Sequence, residues 1–224
     1  MTYLAVFDCD GTLVDSQRRI IRAMEMAFED LGLSPPSAAA TRRSVGLALP
    51  NAVAAVAPEE TDPEQLLQLT DNFRVSYRSL LTDPEYEEPL FPGAVNALDK
   101  IAEAGILLAI ATGKGRRGLE LTLERHNLRD RFAGLKTADD GPSKPNPKIL
   151  LDVMAELGAS NDCTIMLGDT SHDMAMARAA RVPSIGVAWG YHPPKELKIY
   201  GAAEIINSYE QAPSAVIKIL GCCG

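Results

Sequence analysis

Four short apolar runs recur along the chain, each followed by a stretch of helical periodicity: YLAVF (3–7), ILLAIAT (106–112), CTIMLGD (163–169) and PSIGVAW (183–189). AEIIN (203–207) is a candidate fifth run. The helical stretches fall at about 93–105, 115–127, 146–158, 171–181 and 208–220. Runs this short and this continuously apolar suit strands covered on both faces, and strand–helix alternation points to a parallel sheet between helices. The expected core is an α/β fold, a Rossmann-like three-layer α/β/α sandwich around a mostly parallel sheet.

The alternation fails between about 16 and 88. Residues 17–32 and 63–81 have helical periodicity, AAATRRSVGLALPNAVAAVA lies between them, and no strand-like run interrupts them. The exit, TDPEYEEPLFPG, is rich in Pro and acid and has the composition of a linker. The simplest organisation is a small α-helical cap, residues 16–87, inserted into a catalytic core made of 1–15 and 88–224. The chain's 224 residues suffice for one domain with such an insertion.

Charge narrows the partners. The formal net charge is −8, a poor match for nucleic acid, which needs clustered Lys and Arg. No run of about 18 apolar residues is present, so no membrane partner is expected. MTYLAVFDCD lacks a basic start followed by an apolar signal core, and the expected location is cytoplasmic. Cys9, Cys163, Cys222 and Cys223 have neither disulfide nor zinc spacing. They are expected to be reduced thiols, with Cys222 and Cys223 on an exposed tail.

In parallel sheets ligands bind beyond the carboxyl ends of the strands. Asp8, Thr112 and Asp169 each end an apolar run, so they converge on one rim. Side chains alternate along a strand, so Asp8 and Asp10 face the same way while Cys9 turns elsewhere. Two carboxylates held close repel, which calls for either a divalent cation or a shared proton. An Asp-Gly turn closing a strand is the plainer account of the same residues. Asp173 sits just inside the helix after Asp169, where a carboxylate favours the positive helix end. Together with Asp8 and Asp10 it makes an oxygen-rich site suited to Mg2+. Thr112 and Gly113 lead into a helix, where a hydroxyl and turn amides can cradle an anion; capping is the alternative. The spacing of a phosphate-binding P-loop is missing. Lys144, in GPSKPNPKILLD, is a candidate for the cation that three acids and a phosphate require.

FDCDGTLVDS, IATGK, SKPNP and GDTSHD, in that order, resemble the haloacid dehalogenase superfamily. The resemblance is to its phosphoglycolate phosphatase-like branch with an inserted helical cap, and GVAWGYHPPKEL is similar to that branch too. It implies a Mg2+-dependent phosphatase that hydrolyses a small phosphomonoester, phosphoglycolate first, through an aspartyl-phosphate. Asp8 would be the nucleophile and a Mg2+ ligand. Asp10 would be the general acid and base, with its backbone carbonyl on the metal. Thr112 and Gly113 would bind the phosphoryl group, and Lys144 would orient Asp8 and balance charge. Asp169 would ligate Mg2+, and Asp173 would support the metal shell. Residues 11–17 would be the hinge of the cap.

Two other functions compete. A sugar phosphomutase of the same fold resembles Gly-x-Ser-Arg in its cap loop, but here GLALPNAV (46–53) places Leu49 where that Arg belongs. A non-catalytic regulator that binds a phosphorylated metabolite would not need Asp8, Asp10, Lys144 and Asp169 together. Arg42 and Arg43 precede the cap loop; they are either solvated or supply, through Arg43, a grip on a substrate carboxylate or second phosphate. Arg116 and Arg117 allow the same two readings. His172 is expected in a supporting or surface position, and His126 and His192 carry no partner pattern. The expected partner is a small phosphorylated metabolite, and the expected assembly a monomer or homodimer.

Overall fold

The computed structural model describes residues 1–221; Cys222 and Cys223, expected on an exposed tail, lie outside the described residues. The chain opens with β1 (Leu4–Phe7), followed by four helices: α1 (Gln17–Glu29), α2 (Ala38–Ser44), α3 (Leu49–Ala54) and α4 (Pro63–Ser79). Then come α5 (Ala94–Glu103), β2 (Leu107–Ala111), α6 (Arg116–Arg125), β3 (Gly134–Lys136) and α7 (Lys148–Leu157). The chain continues through β4 (Thr164–Gly168), α8 (Ser171–Ala179), β5 (Ser184–Val187), α9 (Pro194–Tyr200), β6 (Glu204–Ile206) and α10 (Ala212–Leu220).

The strands form one six-stranded sheet in the order β3-β2-β1-β4-β5-β6, with every neighbouring pair parallel. The expected fifth strand is β6. The short strand β3 was not anticipated, because three residues are too few to display a period. A Cβ on Gly134 would lie 2.7 Å from Val153 Cγ2, so this edge strand needs glycine for α7 to pack on it.

Alternation along β1 sorts its residues between two cores. Ala5, Phe7 and Cys9 pack with α5, α6 and α10 residues such as Leu98, Leu119 and Val216. Leu4 and Val6 pack on the other face with Ile149, Val153 and Met176 from α7 and α8. These are the three layers expected. The helices between β1 and α5 have a third apolar cluster, in which Ile20, Met24, Ala27 and Phe28 of α1 meet Leu69 and Phe73 of α4. The spacing of those α1 residues is that of one helix face. Asp62 and Gln65 form a capping box at the start of α4, with Pro63 in the first turn. The chain leaves and re-enters the sheet at one place: Asp15 N–H donates to Pro89 O (2.8 Å) and Phe91 N–H to Leu13 O (3.0 Å). No helix among the described residues is long and apolar enough to cross a membrane.

Candidate active site

Strand order reverses direction between β1 and β4, the place where an open parallel sheet leaves a crevice. Asp8 follows β1 and Asp169 follows β4, so these two carboxylates flank the crevice. Gly11 has φ +81°, and a Cβ there would stand 2.3 Å from Asp169 Oδ2. Glycine therefore lets the turn after Asp10 close against Asp169. Cys9 lies on the opposite face, fully buried, and burial pushes its thiol well above the usual range. A thiol so placed is a poor nucleophile.

Asp8 is 1% exposed, and neither of its carboxylate oxygens accepts a hydrogen bond among the described residues. Lys144 Nζ lies 2.9 Å from Asp8 Oδ1, an ion pair by distance without hydrogen-bonding alignment. The same ammonium donates to Asp173 Oδ1 at 2.6 Å. Burial opposes the charge on Lys144, but Asp173 and Asp8 outweigh it and hold the ammonium above its usual range. Burial raises Asp8 from 3.8 to about 6; Lys144 offsets part of this, and Asp173 adds to it.

Asp169 is fully buried and accepts from Thr12 Oγ1 and from Tyr191 N–H, both at 2.9 Å. Burial, then the charges of Asp173 and Asp8, raise its carboxyl well above the ordinary value. Asp173 Oδ2 accepts from Thr170 Oγ1 (2.6 Å) and Thr170 N–H (3.0 Å), so the residue also caps its own helix. One carboxylate oxygen from each of Asp8, Asp169 and Asp173 falls within a 4.8 Å cluster. Three buried carboxylates thus face a single ammonium, with neither Asp8 oxygen hydrogen-bonded among the described residues. That donor set and charge excess fit a hard divalent cation such as Mg2+.

Asp10 shares the crevice but not the cluster. Its carboxylate is bound by Lys114, Nζ to Oδ1 at 2.7 Å. Lys114 also donates to Tyr77 Oη (2.9 Å) and lies 3.7 Å from Glu88 Oε1, while Tyr77 Oη donates to Glu88. Arg19 Nη1 completes the chain 3.2 Å from Glu88 Oε2. Burial lowers Lys114's affinity for its proton, but Asp10 and Glu88 more than restore it. Sequence reasoning passed over all four of these residues. Lys114 stands inside IATGK, yet nothing local ties it to Asp10, and Glu88 stands in a segment with the composition of a linker.

Thr112 is buried beyond β2, its N–H donating to Lys136 O at 3.0 Å, and its Oγ1 accepts from Lys114 N–H at 3.2 Å. A Cβ on Gly113 would lie 2.4 Å from Gly46 O and 2.7 Å from Leu47 O, so the loop between α2 and α3 rests directly on this turn. Asp8, Asp10, Thr112 and Gly113 line a cavity of about 640 Å3, walled on the far side by residues of α1, α4 and the α2–α3 loop.

Arg43 is not brought to these residues. It is exposed at the end of α2 and forms a two-pronged pair with Glu196, 3.0 Å on each arm. Arg42 donates to Gln17 Oε1, and Arg116 pairs with Asp140. His126 Nε2 stands 2.8 Å from Glu88 O, and His192 Nδ1 accepts from Ser171 N–H. His172 packs edge-on to His192, and burial lowers the proton affinity of both rings.

Against known proteins, the family model for haloacid dehalogenase-like hydrolases matches residues 5–187. The chain is 32% identical over 221 residues to Probable phosphatase IndB of Dickeya dadantii, spanning 98% of this chain and 96% of that one. It is 33% identical over 192 residues to Phosphoglycolate phosphatase of Agrobacterium fabrum, spanning 84% and 81%. The crystal structure of a hydrolase from Pseudomonas syringae superposes with a TM-score of 0.85 over 97% of this chain and 99% of that one. At 24% identity this is a likeness of fold.

Proposed function

The chain belongs to the haloacid dehalogenase-like hydrolases, and on that premise we propose that it is a Mg2+-dependent phosphatase of a small phosphomonoester, acting through an aspartyl-phosphate on Asp8. The names of its relatives support phosphoric monoester hydrolysis and make phosphoglycolate the first substrate to assay. One observation carries the mechanism: Asp8 is a buried carboxylate in the cavity lining, paired with Lys144 and accepting no hydrogen bond among the described residues.

Asp8 attacks phosphorus as the bond to the leaving oxygen breaks, and Asp10 delivers its proton to that oxygen. Asp10 then takes a proton from water, the water oxygen attacks phosphorus, and inorganic phosphate departs with Asp8 restored. Splitting the transfer replaces one difficult displacement by two easier ones. Proton delivery of this kind contributes typically ~10²–10⁴-fold. Lys144 would fix the attacking oxygen and offset anion–anion repulsion, while the Thr112 hydroxyl and the Gly113 amide would donate to the phosphoryl oxygens. Asp8, Asp169, Asp173 and the backbone carbonyl of Asp10 would hold Mg2+, which when bound neutralises charge on the transferring group. Lys114 holds the Asp10 carboxylate at the cavity wall between transfers. Residues 16–87 act as the cap, closing over the substrate on the core of 1–15 and 88–224 and excluding bulk water. Leu49 lines the cavity where a mutase would place arginine, which supports hydrolysis over phosphoryl transfer within a sugar.

The test is phosphate release from phosphoglycolate and a panel of small phosphomonoesters, with Mg2+ and with chelator. Release is expected only with metal. Absence of release from every substrate, or release indifferent to chelator, overturns the proposal. Asp8→Asn is expected to abolish turnover with the fold intact, and Cys9→Ser to retain it.

A further inference from the structure

The guanidinium of Arg19 is only half engaged. Arg19 lies on α1, is 1% exposed and stands in the cavity wall. Nη1 pairs with Glu88, and the carbon of the guanidinium sits 5.5 Å from the centroid of the Tyr77 ring. Nε and Nη2 have no hydrogen-bond partner among the described residues. Buried donors left unmet are rare in native interiors, because their lost hydration is not returned. The two unmet groups are not an arbitrary pair. Nε–H and Nη2–H run parallel from one edge of the guanidinium, at the spacing of the two oxygens of a carboxylate.

Charge and volume point the same way. Arg19, Glu88, Lys114 and Asp10 form a chain of two cations and two anions. An anionic acceptor on the substrate, away from the phosphate, would meet the two Arg19 donors that this chain leaves unpartnered. Phosphoglycolate has about nine non-hydrogen atoms, which at the ~30 Å3 of a water molecule in the liquid would fill roughly 270 Å3, under half of the cavity's 640 Å3. Met24, Val45, Leu47, Leu49 and Phe73 give the wall an apolar stretch, although Arg74, Arg78, Arg117 and Arg125 line the cavity too.

We propose that Arg19 receives a carboxylate at the far end of the substrate's leaving group, and that an apolar body larger than one methylene joins this carboxylate to the phosphate. The inference rests on the phosphatase reading above and names its substrate class.

The experiment compares para-carboxyphenyl phosphate, phenyl phosphate and phosphoglycolate, each with Mg2+. For the wild-type chain, kcat/KM is expected to be at least roughly tenfold higher for para-carboxyphenyl than for phenyl phosphate, mostly through KM. Its KM should also lie below that of phosphoglycolate. Arg19→Met should bring the carboxyphenyl-to-phenyl ratio to near one. Arg19→Lys keeps a cation beside Glu88 but lacks the two-pronged edge, so it should lose the same ratio even where Arg19→Met fails to fold. A wild-type ratio near one, or a ratio that survives Arg19→Lys, overturns the carboxylate assignment. A lower KM for phosphoglycolate overturns the apolar body. No release from any of the three overturns the phosphatase reading and this inference together, whereas release with a ratio of one overturns the inference alone.

Discussion

Lys114 Nζ and Asp10 Oδ1 stand 2.7 Å apart, with side-chain exposures of 8% and 11%. The two acids of the Asp-Cys-Asp stretch are therefore served by two lysines from different loops, Lys144 for Asp8 and Lys114 for Asp10. Each lysine brings further partners: Asp173 for the first, Tyr77 and Glu88 for the second. Asp8 is thereby tied to α8 through Asp173, and Asp10 to α4 through Tyr77.

Replacing Lys114 by Met should release Asp10 from its position. Steady-state kinetics on the best phosphomonoester should show kcat/KM lower by about 10–100-fold, within the span that general acid–base catalysis contributes. The circular dichroism spectrum should remain that of the wild type.

Lys144→Ala removes the cation between Asp8 and Asp173, which are at most 1% exposed. Breaking a buried pair from one side costs about 3–5 kcal/mol. Chemical denaturation without metal should show a loss of that order. Mg2+ should return part of it, since the carboxylates it would neutralise remain.

Asp8 carries a pH signature. Burial moves its carboxyl from 3.8 to about 6, so between those values the folded chain holds a proton that the unfolded chain has released. Metal-free stability should therefore decline as pH rises from about 4 to 6, and the Asp8 contribution should then level off. Asp8→Asn should melt above the wild type in chelator at pH 7.5, by up to about 3 kcal/mol, with the gain vanishing near pH 4. An equal gain at both pH values would contradict a raised Asp8.

Mg2+ should raise the melting temperature of the wild type. The linkage gain is about 2.7 kcal/mol when the free ion is a hundred times its dissociation constant. Asp169→Asn, which removes a buried member of the carboxylate cluster, should abolish most of that shift. Ca2+ and chelator controls separate specific binding from ionic strength.

Gly113→Ala places a methyl 2.4 Å from Gly46 O, which is backbone and cannot swing aside. Overpacking of this kind costs typically ~1–3 kcal/mol. The substitution should raise KM by lifting the α2–α3 loop off the Thr112–Gly113 turn, and thermal melting should register the strain.

The sheet was legible because its strands are apolar on both faces and end in Asp8, Thr112 and Asp169, residues that suit a rim and not a core. Asp8, Asp169 and Lys144 were legible as candidates because each is out of place where it stands, a charge at the end of a buried strand or between prolines, while Asp173 was legible only through its company with them. Arg19 and Tyr77 were not, since a polar residue on an amphipathic helix looks solvated until the opposing surface is known. The Lys114 network spans residues 10 to 114, so no local window contains it. Arg43 is the reverse case. It sits beside the right loop, but its guanidinium finds Glu196, over 150 positions away, before any ligand.

The paired crossings at Leu13–Phe91 and Asp15–Pro89 give the molecule a neck. Everything between residues 16 and 88 leaves and returns through it, while the wiring of the six strands is complete without that excursion. The entropy of closing such an excursion grows only with the logarithm of its length. The helical lobe could therefore be lengthened or trimmed at little thermodynamic cost, with the sheet and the acids at its rim left as they are.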